Sequence, residues 1–164
     1  MSILTQPIVV GIDNVSVGPL SLASNTPLGG GINGIGNSAF GYQCLRYNTT
    51  GNYNVAIGYQ AALNALTGND NISIGRASNR DVSSGVANVA IGTVSNAFNI
   101  AGNRNTAIGN GSMSGSLVSG SFNTCIGDFS GSELTTGSKN SILGSFRGNQ
   151  GGLDIRTSSN NVGS

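Results

Sequence analysis

The side chains that could do chemistry here are few: six carboxylates (Asp13, Asp70, Asp81, Asp128, Glu133 and Asp154), two cysteines and no histidine. Without imidazole, the usual nucleophile triads and histidine metal sites have no material. A pair of carboxylates could still cleave a glycosidic bond if both converged on it. The nearest pair, Asp128 and Glu133, falls in a variable stretch and reads as solvated surface. Calcium-binding repeats place aspartate at a fixed phase, and here that phase holds asparagine. The glycines make no phosphate loop, because GINGIG precedes no helix and no Gly-Lys-Ser/Thr follows. A threonine array of the ice-binding kind would need more than Thr106 and Thr124 in one column. The expectation is therefore no enzyme activity, no cofactor and no metal.

What the chain does have is a repeated sentence. Aligned on their last glycine, the copies are GNSAFG ending at Gly41, GNYNVAIG at Gly58, GNDNISIG at Gly75, GVANVAIG at Gly92, GNRNTAIG at Gly109, GSFNTCIG at Gly127 and GSKNSILG at Gly144. The interval from glycine to glycine is constant except before Gly127, where it is longer by a single residue. A period this regular describes a stack of similar coils, each touching mainly its two neighbours.

Within each copy the positions are specialised. Asparagine stands four residues before the glycine: Asn37, Asn54, Asn71, Asn88, Asn105, Asn123 and Asn140. A mostly β-branched residue follows, then a mostly small one (Ala39, Ala56, Ser73, Ala90, Ala107, Cys125, with Ile142 the exception). Next comes a large apolar one: Phe40, Ile57, Ile74, Ile91, Ile108, Ile126 and Leu143. This alternation predicts a short strand with one face inward. The large apolar column is assigned to the core, the asparagines to a hydrogen-bonded ladder between coils, and the closing glycines to corners where a missing Cβ allows close approach. The variable remainder, rich in Thr, Gly and Asn, reads as surface turn.

The ends differ. Residues 1–34 are read as outside the repeat. They hold two β-leaning runs, Pro7–Ile12 and Asn14–Val17, and a Gly-rich hinge, and they form either an attachment element for another protein or a strand capping the first coil. Residues 35–144 form the repeat. Residues 145–164 form a modified coil or end piece, with Asn161 standing four residues later than the period requires.

Composition fits a rod better than a globule. Glycine numbers 27, and charged residues make up only 8% of the chain, with net charge +1 and no basic stripe, so phosphate-directed nucleic-acid binding has no footing. No apolar run approaches the length of a membrane span and no cationic leader precedes one, so neither a span nor a secretory signal is expected. Cys44 and Cys125 lie about five coils apart, roughly 24 Å at strand spacing, so two free thiols are expected. One coil must order 17 residues with only three or four aliphatic side chains to bury. An isolated column is therefore short of buried apolar surface, and several chains are expected to share it.

The units NVAIGYQA, NISIGRAS, NVAIGTVS and NTAIGNGS resemble the N-x-A-I-G-x-x-S/A repeat of the YadA-like heads of trimeric autotransporter adhesins. The connecting phrases, such as TTGNYNVAIGYQAAL, and the closing GSKNSILGSFRGNQGGLDIRTSSNN are similar to phage tail-fibre proteins that use the same repeat. The likeness covers about residues 34–162. It implies an all-β, left-handed parallel β-roll of about seven 17-residue coils, assembled as a side-by-side homotrimer. The period is longer than that of the compact adhesin coil, which implies larger loops at one corner. No neck, stalk or anchor barrel is read after the repeats, which favours a virion fibre over a bacterial cell-surface adhesin. The implied partners are sister chains, another virion structural protein bound through residues 1–34, and a host glycan or outer-membrane protein. Candidate receptor contacts in the loops are Tyr42, Tyr47, Tyr53, Tyr59, Arg76, Arg80 and Arg104, aromatic and Arg being good contact residues. A purely structural spacer or decoration fibre is the alternative.

Overall fold

In the computed structural model, residues 13–25, 34–115, 119–150, 153–154 and 157–163 are described. Each copy contributes one short strand: β2 (Ser38–Phe40), β3 (Val55–Ile57), β4 (Ile72–Ile74), β5 (Val89–Ile91), β6 (Thr106–Ile108), β7 (Thr124–Ile126) and β8 (Ser141–Leu143). They join β1 (Val15–Val17) and β11 (Val162–Gly163) in one sheet ordered β1-β2-β3-β4-β5-β6-β7-β8-β11. Every pairing in it is parallel and in repeat register, as with Val55↔Ile72, Ala56↔Ser73 and Ile57↔Ile74. The chain is a parallel β-solenoid without helix among the described residues. Its nine strands span roughly 38 Å at the usual strand spacing.

The sheet is longer than the repeat count predicts: the run Asn14–Val17 supplies a strand on the first coil, as one of the two readings of the N-terminus had it, and it carries the repeat itself. Asn14-Val15-Ser16-Val17-Gly18 is a further copy: β1 pairs with β2 residue for residue, and Leu22 of the same coil is fully buried. Its closing glycine, Gly18, stands further from Gly41 than one period, which hides the copy from a search by spacing. Residues 1–12 and 26–33, which hold the first β-leaning run and most of the hinge, lie outside the described residues. At the other end Asn161 and β11 form a last rung. The four extra residues before it coincide with a small antiparallel pair, β9 (Asn149–Gln150) with β10 (Leu153–Asp154).

Two kinds of contact hold the coils together. In the asparagine ladder, the Oδ1 of Asn37, Asn54, Asn71, Asn88 and Asn105 accepts both the backbone N–H and the Nδ2–H of the asparagine one coil later, and Asn123 Oδ1 accepts the Asn140 N–H. Asn71 Oδ1, for example, accepts Asn88 N at 2.9 Å and Asn88 Nδ2 at 3.1 Å. The other Nδ2 hydrogen goes to a glycine carbonyl, as from Asn88 to Gly102 at 2.8 Å. Both lone pairs and both hydrogens of the buried amide are thus used, the condition under which a buried polar column stabilises. The ladder extends beyond the seven predicted rungs, with Asn37 N donating to Asn14 Oδ1 and Asn161 N to Asn140 Oδ1. At the strand end the glycines of successive coils touch. A Cβ on Gly75, at φ +123°, would lie 2.5 Å from the Gly92 carbonyl oxygen.

The large apolar column does not line the interior of the chain, which corrects its assignment to the core. Phe40, Ile57, Ile91, Ile126 and Leu143 are 36–64% exposed, with Ile74 and Ile108 half-buried. The buried members of β2 to β7 are the small ones, Ala39, Ala56, Ser73, Ala90, Ala107 and Cys125, while β8 buries Ile142. Cys44, Ala61, Ser78, Ser95, Ser112 and Ser130 from the following turn are likewise fully buried. In β2 to β7 the inward strand position holds no more than a methyl, hydroxyl or thiol, because the larger lumen side chains come from the turns: Leu45, Val82, Met113 and Leu134 are fully buried there. The lumen is also not uniformly apolar. Around β4 and β5, Asn79 Nδ2 donates to Ser73 Oγ at 2.9 Å and Asn96 Nδ2 to Asn79 Oδ1 at 2.7 Å. The Oδ1 of Asn96 has no partner, because the equivalent position one coil on is Met113.

The turns bend through left-handed backbone at ordinary residues as well as at glycine. In the coil after β3, Gly58, Gln60, Ala62 and Asp70 all have positive φ, and the pattern recurs along the stack. Such a conformation costs an L-residue roughly 1–2 kcal/mol.

Substitutions in the ladder and at the corners should separate these contributions. Asn88→Ala strips hydrogen bonds from Asn71, Asn105 and Gly102 in the buried ladder and should cost about 3–5 kcal/mol in urea unfolding, against under about 1 kcal/mol for the end-rung Asn161→Ala. Gly75→Ala should prevent close stacking and lower the thermal midpoint sharply, whereas Ala87→Gly, at φ 58°, should raise stability by about 0.5–1 kcal/mol because relief of strain outweighs added chain entropy.

Candidate functional site

The solenoid distributes surface chemistry in columns, since residues at one phase of the coil stack above one another. The seven candidate contacts fall into two such columns and a set of turns, and do not form one site. Tyr42 and Tyr59, each following a corner glycine, stack with ring centroids 5.3 Å apart and planes 18° from parallel. Gln60 Nε2 donates to Gln43 Oε1 beside them at 2.8 Å, and Arg76 occupies the same phase in the next coil. The stacking covers one face of each ring. Tyr53 and Arg104 share a second column, the residue before each ladder asparagine, three coils apart. These two columns flank the outward apolar face of the sheet.

Tyr47 and Arg80 lie on the turns away from the sheet. Arg80 pairs with Asp81 at 2.9 Å, and Asp81 also accepts Asn64 Nδ2 at 2.6 Å. Arg80 is further held over the Phe98 ring, 4.8 Å from its centroid. The same device recurs with Arg46 over Tyr47, Arg104 over Phe122 and Arg147 over Phe129. Sequence reading overlooked the partners Phe98, Phe122 and Phe129. The signal was available: each stands close to one repeat period from its arginine, on the neighbouring coil.

A second ladder was also overlooked. Two residues before each core asparagine, a side-chain oxygen accepts the backbone N–H of the preceding coil: Asn52 from Ile35, Asn69 from Asn52, Asn103 from Val86, Ser121 from Asn103 and Ser138 from Ser121, at 2.8–3.1 Å. The column is interrupted at Val86, which has no acceptor to offer Asn69. Beside this interruption lies a groove of about 220 Å³ lined by Val86, Asn103, Arg104, Ser121 and Phe122. Arg104 is exposed, sits 5.3 Å over the Phe122 ring and makes no ion pair with the described residues. Asn103 uses one Nδ2 hydrogen on the Ala101 carbonyl at 3.2 Å. The hydroxyl of Ser121 accepts from Asn103 and retains its own hydrogen to donate.

The carboxylates are dispersed. Asp128 accepts Asn110 Nδ2 at 3.0 Å, Glu133 is exposed, and among the described residues no three His, Cys, Asp or Glu side chains gather as a metal site. No helix among them is long and apolar enough to cross a membrane. Both cysteines are free and buried. Cys44 donates its S–H to the Gly58 carbonyl at 2.7 Å, and burial raises its pKa. Burial pushes the Cys125 thiol up to about 12, against a smaller lowering by Ser130. No protein-family model, curated protein or solved structure matches the chain.

The thiols yield a prediction. Neither should react with a disulfide reagent at pH 8 until the protein is unfolded. An unfolded thiol ionises near its ordinary value of 9.0 while folded Cys125 holds its proton to about 12, so alkali favours the unfolded state. Stability should accordingly fall as pH rises from about 9 towards 12 and recover in part in Cys125→Ala.

Proposed function

We propose that this chain is a fibre protein of a virion, built as a side-by-side homotrimer with left-handed coils, that attaches the particle to a host-cell surface. The observation that carries the reading is the outward face of the nine-stranded sheet. Val15, Val17, Phe40, Ile57, Ile72, Ile91, Ile126, Leu143 and Val162 all stand there more than a third exposed. A continuous apolar strip along the full sheet is larger than the scattered exposure normal for a monomer and calls for a covering surface. Sister chains fit, because a strip repeating every coil is matched by another strip of the same period. Attachment is supported by the repeat resemblance and by columns of aromatic and Arg side chains along the rod, where weak contacts multiply across three chains.

Sedimentation tests the assembly: the native chain should run as a trimer, and Ile57→Lys with Ile91→Lys should yield monomers or unfolded chain. A native monomer defeats this part of the reading. Binding of the labelled native assembly to host cells tests the rest, and absence of binding at high avidity leaves the spacer function instead.

A further inference from the structure

We infer that the groove at the interruption of the second ladder is a subsite for a carboxylate-bearing saccharide unit. The inference rests on the attachment reading and names its ligand class. Its starting point is a departure from the repeat: elsewhere in this column Asn52, Asn69, Asn103, Ser121 and Ser138 place a side-chain oxygen over the neighbouring coil, whereas Val86 does not. The groove lies where the column changes chemistry, bounded by Asn103 and Ser121 on the following coils.

The lining is rich in donors. Arg104 presents a planar guanidinium, suited to a carboxylate through two parallel N–H···O bonds. Asn103 keeps one amide hydrogen and Ser121 its hydroxyl hydrogen, enough to hold ring hydroxyls or the ring oxygen. Val86 and the half-exposed Phe122 supply the apolar part. An anionic sugar has this combination: a carboxylate, a hydroxyl edge and a C–H face. The groove, about 220 Å³, is below the roughly 300–1,000 Å³ of drug-sized pockets and takes one small unit. The surrounding charge agrees. In the Arg104 column, Lys139 lies two coils to one side and Asp70 two coils to the other, each roughly 10 Å away, so within that column Arg104 is the charge that meets the groove. Single-site affinity is in the millimolar range, and repetition along a particle raises it.

The test uses the full chain with free glucuronate, glucose, inorganic phosphate and glutamate, followed by NMR titration. Glucuronate should saturate, with glucose, phosphate and glutamate each at least tenfold weaker. Val86→Asn, which replaces the apolar wall of the groove by an amide drawn towards the Asn69 N–H, and Arg104→Gln should each weaken glucuronate at least tenfold while circular dichroism and the thermal transition stay native. Loss in both variants with the fold intact supports the subsite. Equal binding of glucose shows that the guanidinium is not used, equal binding of phosphate or glutamate shows that the sugar is not read, and unchanged binding in Val86→Asn places the contact elsewhere; each overturns the inference. Host-cell binding separates the two levels. Cells bound by both the native chain and Val86→Asn, with no glucuronate binding by either, leave attachment standing and remove the subsite. Glucuronate bound in the groove without cell binding does the reverse.

Discussion

The structure depends on one interaction repeated: a buried asparagine amide whose two lone pairs and two hydrogens are all taken up by groups one coil away or in its own coil's closing turn. Because the ladder joins like to like, it fixes the register of the stack. A shift by one residue would leave every amide facing a side chain that cannot answer it, in an interior where an unmet hydrogen bond costs about 1–3 kcal/mol. The corner glycines impose the same period sterically, since the carbonyl of the next coil lies where their Cβ would be. Extra residues are therefore accommodated only between the strands. The slightly longer coil between β6 and β7 and the longer connections before β2 and β11 all return to the ladder in phase.

A narrow lumen follows from short coils, and the outward aliphatic face follows from the narrow lumen. Inside β2 to β7 the strand contributes small side chains and the turns contribute the larger ones, Leu45, Val82, Met113 and Leu134, so the largest hydrophobic residues of those strands stand at the surface. Around β4 and β5 the interior is held by hydrogen bonds as well as apolar contact, with Ser73, Asn79 and Asn96 joined in a buried chain. A fold of this kind is under pressure to bury its remaining apolar surface against something else, and the proposed assembly of sister chains answers that pressure.

Columns also govern what the surface can do. Residues with one phase are neighbours at about strand spacing regardless of how far apart they stand in sequence, so a single change of residue alters a local patch of three coils. The stacked Tyr42 and Tyr59, the Arg–aromatic contacts and the groove beside Val86 are all of this type. None depends on a long loop, and each is held by backbone that the ladder keeps rigid.

The period, the strands, the asparagine ladder and the parallel stacking were legible in the sequence because each repeats a local rule: alternation for the strand, a fixed phase for the amide, glycine at the corner. The run Asn14–Val17 was legible as a strand that could cap the first coil but not as a copy of the repeat, although Asn14-Val15-Ser16-Val17-Gly18 obeys the same rule, since an irregular interval breaks a search by spacing. Which face of the strand points inward was not legible. Alternation distinguishes two faces, and hydrophobicity alone assigns the larger residues to the core, whereas the width of a closed coil decides the opposite. The partners of the arginines and the groove at Val86 likewise required the stack itself, because they are made between coils. The sequence by itself thus determined what repeats, through short-range preferences of individual residues. The tertiary structure decided what faces in, what faces out and what meets across coils, because those depend on how much room a wound chain leaves at its centre.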